Sequence, residues 1–231
     1  MKTSSTPDVK QLRFRATKSA GDVSALLLRP ENARWLLVFG HGAGAGMRHP
    51  FMEAAARRLA ERGIATFRYQ FPYMEQGSKR PDPKPILFET VRSAVVTAAE
   101  AAGGLPLLAG GKSMGGRMTS NAAAEKPLHD VHGLVFFGFP LHPAGQPSTE
   151  RGDHLGNVTV PMLFLQGTRD TLADLELLRP ICKRLGKRAT LHIVDGADHS
   201  FHVLKSSGKT DGEVLDGLAD TIGEWVTTLD Q

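Results

Sequence analysis

A chain of 231 residues is long enough for one well-buried core and short for two, so a single domain over 1–231 is expected, with the polar, Pro7-bearing stretch 1–9 loosely held. Hydrophobic residues make up 41% and charged residues 23%, the composition of an ordinary globular protein rather than a disordered one. The net charge is +4, but its basic pairs (Arg57-Arg58, Lys79-Arg80, Lys183-Arg184, Lys187-Arg188) are scattered among acids, which reads as solvated helix faces and argues against a nucleic-acid partner.

Short apolar, β-rich runs alternate with longer helical stretches. Strands are expected at 12–17, 25–29, 35–40, 64–69, 106–109, 134–137, 162–166 and 190–194. The run Trp35-Leu36-Leu37-Val38-Phe39 is continuously apolar, the mark of a strand buried on both faces of a parallel sheet. Helices are expected at 51–62, 86–102, 114–125, 172–185 and 214–229, with Pro180 kinking or splitting the fourth. The first two strands are joined by Ala20-Gly21-Asp22, a turn, and should form an antiparallel hairpin at one edge. The fold class is therefore α/β, a doubly wound and mostly parallel sheet of about eight strands. Two Pro/Gly-rich segments, 70–85 and 139–158, read as loops that follow strands, the side on which open α/β sheets build their sites.

Gly111-Lys112-Ser113-Met114-Gly115 fits G-x-S-x-G. Alone the pattern is weak; here a short apolar strand precedes it and a helical stretch follows, the strand–turn–helix setting in which a serine is exposed on a strained turn. The acid partner should leave a later strand, which makes Asp170 the candidate and Asp174, at the start of the next helix, the rival. The base should follow the last strand, which makes His199 the candidate and His202 the rival; Asp198 is an alternative orienting acid. His41-Gly42-Ala43-Gly44-Ala45-Gly46 leaves the strongest strand, and the backbone N–H groups of Ala43 and Met114 are the candidate oxyanion donors. His41 itself reads as a structural hydrogen-bonding residue.

Other chemistries find less support. The glycine loop has neither G-x-x-x-x-G-K-[ST] nor G-x-G-x-x-G, so no nucleotide cofactor is expected. His129 and His132 lack a completing acid or cysteine, so no metal is expected. No cationic cluster marks a carboxylate or phosphate clamp, although Arg48, Arg68 and Arg117 lie near the motifs and could contribute; Arg117 reads as a surface or structural residue. One cysteine, Cys182, fits a reducing cytoplasm. No signal-peptide core and no apolar run of about 18 residues is seen, so no membrane association is expected.

Taken together, 37–44, 111–117, Gln166-Gly167-Thr168-Arg169-Asp170, 198–201 and Phe139-Pro140-Leu141-His142-Pro143 resemble the α/β-hydrolase superfamily, in its branch related to dienelactone hydrolase. They are most similar to the testis-expressed protein 30 and NSL-complex subunit 3 group with its bacterial relatives. The resemblance covers the chain from about residue 30 and implies the α/β-hydrolase fold and a Ser-Asp-His triad. Dienelactone hydrolase proper has a Cys where this chain has Ser113. Two functions follow: a serine hydrolase of a small ester or thioester, or a binding or scaffold protein on the same fold. The 139–158 segment occupies the place of a helical cap. Its composition cannot bury a core of its own, so the cleft should have a minimal cap or none, with the apolar groups of Phe71, Tyr73 and Met74 along one wall.

Overall fold

In the central strands β3 (Trp35–Gly40) and β4 (Ile64–Tyr69) every residue is buried. The reason is layered packing. Trp35, Leu37 and Phe39 pack with α1 (Pro50–Glu61) and α6 (Asp211–Val226) on one face of the sheet. Leu36 and Val38 pack on the other face with α3 (Lys84–Ala102) and α4 (Met114–Glu125). A strand covered on both faces has no use for polar alternation, hence its continuous apolar run.

The structure is a computed structural model and describes residues 8–229. Its eight strands form one sheet in the order β1-β2-β4-β3-β5-β6-β7-β8. The remaining strands are β1 (Val9–Thr17), β2 (Gly21–Leu28), β5 (Leu107–Lys112), β6 (Val131–Phe137), β7 (Met162–Gly167) and β8 (Ala189–Val194). β1 and β2 form the antiparallel edge hairpin, and all pairings from β4 to β8 are parallel. The chain moves outward from β3 to β4, then returns past β3 to β5, so the direction of winding reverses at the carboxyl ends of β3 and β5. That reversal opens a crevice where loops after neighbouring strands diverge.

Several boundaries differ from expectation for identifiable reasons. Residues 1–7 of the stretch expected to be loose lie outside the described residues, but Val9 is already paired with Leu28 and opens β1. α6 starts three residues before 214 because Thr210 and Glu213 form a reciprocal capping box. α3 starts at Lys84 with Pro85 in its first turn, where a missing N–H leaves no bond unmade. The expected helix 172–185 begins only at α5 (Leu175–Leu185), capped by Asp174, and Pro180 does not split it. Pro180 lies in the second turn on the exposed side, while Leu178, Ile181, Cys182 and Leu185 are buried together and hold the helix as one piece.

Both expected loops carry structure. Segment 70–85 contains the short helix α2 (Pro72–Glu75). Segment 139–158 contains a 3₁₀ stretch, Glu150–Asn157, and sends Phe139, Leu141, Leu155 and Val158 into the main core. It builds no core of its own but borrows the one beneath it.

The joint between β5 and α4 tolerates no side chain at Gly111 or Gly115, because a Cβ at either would collide with the Gly40 carbonyl of β3. Gly115→Ala is expected to destabilise the fold by about 3 kcal/mol or more, since neither backbone can give way without breaking sheet bonds. Urea unfolding followed by tryptophan fluorescence measures this; a midpoint equal to that of the unsubstituted protein would contradict the close-approach argument.

Candidate functional site

Ser113 sits between β5 and α4 with φ 51° and ψ −115°, a left-handed backbone that a residue with a side chain adopts only under constraint. Its N–H donates to Phe137 O at 3.1 Å, and its carbonyl accepts the first helical bond from Arg117 N at 3.1 Å. These bonds turn the side chain out of the sheet at the carboxyl end of β5.

Two other loops meet it there. His199 Nε2 lies 2.9 Å from Ser113 Oγ, and His199 Nδ1 lies 2.7 Å from Asp170 Oδ2. The Asp170 carboxylate is fully buried. It is not left to the imidazole alone: Gln166 Nε2 donates to Oδ2 at 2.5 Å and Leu172 N donates to Oδ1 at 2.8 Å. With these donors and the imidazole, both carboxylate oxygens have partners, so the group is held in one orientation.

The rivals are engaged elsewhere. Asp174 caps α5 through Glu176 N at 2.8 Å. His202 pairs with Asp211 at 2.8 Å on the surface. Asp198 accepts from the N–H groups of Ser200 and His202 at 2.8 and 3.0 Å, closing its own loop. That loop is also held by Lys112, whose Nζ donates to His199 O at 2.6 Å and lies 5.6 Å from the ring centres of both Phe51 and Phe201. Burial lowers the Lys112 ammonium pKa to about 8, against the opposing pull of Asp170 and Asp198.

The backbone N–H groups of Ala43 and Met114 donate to no partner among the described residues, and both residues line the same cleft as Ser113. The glycine loop is fixed beneath by His41. Its Nδ1–H donates to Gly42 O at 2.7 Å and its Nε2 accepts from Phe71 N at 3.1 Å. Burial pulls the His41 pKa down to about 4, so it is a neutral bracket. His142 works alike, donating to Pro143 O and accepting from Asp174 N at 2.8 Å.

The open cleft over Ser113 has a volume of about 530 Å³. Its wall from segment 70–85 differs from expectation: Phe71 and Tyr73 are buried in the core, and Pro81 and Asp82 line the cleft instead. The expectation that no cationic cluster marks the site, with Arg117 a surface or structural residue, is also corrected. Lys84, Arg117 and Arg151 all line it. Arg68 is buried and donates to Met47 O, and Arg48 is exposed away from the cleft lining.

Sequence reasoning missed Gln166, Lys112 and Arg151. A polar side chain ending the apolar run Met162-Leu163-Phe164-Leu165 and a cation inside the elbow were signals for the first two; nothing local marked Arg151. It also missed a second Ser–His contact, Ser120 Oγ to His154 Nε2 at 2.7 Å. Ser120 is fully buried, and Asn121 Nδ2 donates to the same imidazole nitrogen at 3.2 Å. This contact clips the 3₁₀ stretch onto α4, and burial lowers the His154 pKa to about 4. His129 pairs with Asp130 on the surface, and His132 packs edge-on against Trp35.

Residues 33–227 match the alpha/beta hydrolase domain family. The chain belongs to that family. In overall structure this α/β-hydrolase domain is similar to a dienelactone hydrolase from Anabaena variabilis, with a TM-score of 0.74 at 20% identity over 97% of this chain and 99% of that one. It is similar at TM-score 0.74 and 19% identity to an α/β serine hydrolase without a lid from Xanthomonas campestris, over 94% and 95% of the two chains. In sequence it is 28% identical over 84% of its length to a Mycobacterium tuberculosis protein provisionally named a phosphoribosyl transferase. The chain spans only 43% of that relative's length.

The neutral histidines make stability pH-dependent. His41 and His154 have folded pKa values near 4 against an ordinary value of 6.5, so between those pH values the unfolded chain binds more protons than the folded one. Stability then falls as pH falls from about 6.5 towards 4. The exposed His202–Asp211 pair has the opposite sign, its imidazole pKa being raised, and is screened by solvent. Unfolding free energy is expected to be about 1–3 kcal/mol lower at pH 5 than at pH 7, with a shallower dependence in His154→Gln. Equal stability at the two pH values would contradict this.

Proposed function

We propose that the domain is a serine hydrolase that cleaves a small ester, thioester or related acyl bond through an acyl-enzyme. The observation that carries this reading is the continuous line from buried Asp170 through His199 to Ser113 Oγ, ending on a serine held in a strained turn. In this reading Ser113 Oγ attacks the acyl carbon as His199 Nε2 takes its proton. Asp170 orients the imidazole and balances the imidazolium, and the amides of Ala43 and Met114 hold the oxyanion. His199 then protonates the leaving group, and water repeats the sequence to free the acid. A scaffold protein has no need of a strained serine with an aligned base, and this favours the enzyme over the scaffold reading.

On its motifs we place the chain in the dienelactone-hydrolase-like branch, nearest the testis-expressed protein 30 and NSL-complex subunit 3 group. The same reading takes 1–231 as one catalytic domain working in the cytoplasm on a small-molecule acyl substrate, without metal or cofactor. Among the described residues no helix is long and apolar enough to cross a membrane.

Ser113→Ala and His199→Ala should each lower p-nitrophenyl butyrate hydrolysis on the order of 10³-fold or more while leaving the fold intact, because triad members act as a unit. His202→Ala should retain activity, since its imidazole is committed to Asp211. Activity in Ser113→Ala equal to that of the unsubstituted protein would refute the assignment, and loss in His202→Ala with retention in His199→Ala would move the base.

The open cleft also limits the acyl group. Added methylenes contribute about 0.8 kcal/mol each only where protein encloses them. Across p-nitrophenyl esters from acetate to palmitate, kcat/KM should level off by octanoate; a continued rise to palmitate would contradict the short-chain reading.

A further inference from the structure

The cleft over Ser113 is lined by three cations, Lys84, Arg117 and Arg151, against a single carboxylate, Asp82. Asp82 is already occupied, its Oδ2 accepting from Tyr73 N at 2.8 Å. The three cations have no such commitment: the side chains of Lys84, Arg117 and Arg151 form no hydrogen bond or ion pair with any described residue. By contrast Arg13, Arg15, Arg57, Arg58 and Arg62 all have acidic partners on the surface.

Arg117 is the sharpest case. It lies one helical turn after Ser113, the i to i+4 spacing that puts two side chains on one face of a helix. Its Nε is buried without a hydrogen-bond partner, an unfavourable state for a guanidinium in the absence of an anion. Burial and the nearby Arg151 both lower its pKa. Arg151 stands on the 3₁₀ stretch opposite. That stretch is fastened to α4 by the Ser120–His154–Asn121 contact, so the two elements that carry these arginines are held side by side, and both arginines line one cleft. Like charges held together beside a reacting serine are stabilised by an anion between them, and a planar guanidinium offers paired N–H donors that suit carboxylate or phosphoryl oxygens.

We propose that Arg117 and Arg151, with Lys84 at the rim, form a subsite for an anionic oxygen group, carboxylate or phosphoryl, on the substrate itself. This rests on the serine-hydrolase reading for the position of the scissile bond. The substrate is then an acyl compound carrying a negative charge a few bonds from the carbonyl carbon, rather than a neutral alkyl ester.

Binding separates this subsite from catalysis. In the Ser113→Ala protein, titration calorimetry with mono-p-nitrophenyl succinate and with p-nitrophenyl butyrate compares a charged and a neutral ligand of similar size without turnover. The half-ester is expected to bind at least 10-fold more tightly. That ratio should fall several-fold in Ser113→Ala combined with Arg117→Gln, and likewise with Arg151→Gln, while Arg117→Lys keeps part of it. Arg151 is partly exposed, so its variant remains informative if replacement of Arg117 disturbs folding. Displacement of the half-ester at lower concentration by inorganic phosphate than by succinate supports the subsite and assigns it to a phosphoryl group; the reverse order supports it and assigns a carboxylate. Equal affinity for charged and neutral ligands, or failure of both anions to displace the half-ester, overturns the proposal. Tight binding of the half-ester without its cleavage by the unsubstituted protein would contradict the hydrolase reading and leave the anion subsite standing.

Discussion

The arrangement of the site depends on one backbone turn. Ser113 is held at φ 51° and ψ −115°, a conformation that costs on the order of 1–3 kcal/mol and persists only where its surroundings dictate it. Here they do. β5 is the neighbour of both β3 and β6, α4 leaves at once towards the sheet, and Gly111 and Gly115 let both segments press against Gly40. Relaxing the serine would separate α4 from three central strands. The strain is therefore stored by the most buried part of the molecule, and its product is a hydroxyl raised above the sheet where the winding reverses.

The remaining groups are brought to that hydroxyl with little freedom. The His199 loop is closed by Asp198, tied to Lys112 and braced by the stacked rings of Phe51 and Phe201, 6.0 Å apart. Asp170 is fixed by Gln166, whose Oε1 also accepts from Phe139 N, so one amide joins β7 to the segment after β6. Elsewhere imidazoles serve as brackets: His41 ties the glycine loop to the chain after β4, and His142 ties the segment after β6 to that before α5. His199 differs from both in joining two side chains, the Asp170 carboxylate and the Ser113 hydroxyl.

The parts legible in the sequence are those where local pattern and tertiary demand agree. β3 and β4 were bounded correctly because a strand buried on both faces is apolar from end to end. α4 was bounded correctly because the elbow glycines start it and Lys126 ends it. The G-x-S-x-G pattern points to Ser113 and the ends of later strands to Asp170 and His199, and the fold brings these three side chains together because it brings strand ends together. What could not be read depends on distant partners. The apolar cost of keeping 139–158 unstructured is removed by a core built from other elements, so composition misled. Phe71 and Tyr73 were placed on the cleft wall because chain order cannot tell an inward aromatic from one facing a ligand. Arg117 looked like a surface residue because Arg151, its neighbour in space, is 34 positions away and on a segment taken for a loop.

The central claim is that Ser113 is the nucleophile. The most direct measurement is covalent labelling of the folded protein with a fluorophosphonate probe, followed by peptide mass spectrometry to locate the adduct. The account predicts stoichiometric phosphonylation of Ser113, blocked in the His199→Ala protein, with Ser120 unmodified. Absence of any adduct, or an adduct on Ser120 in place of Ser113, would contradict it.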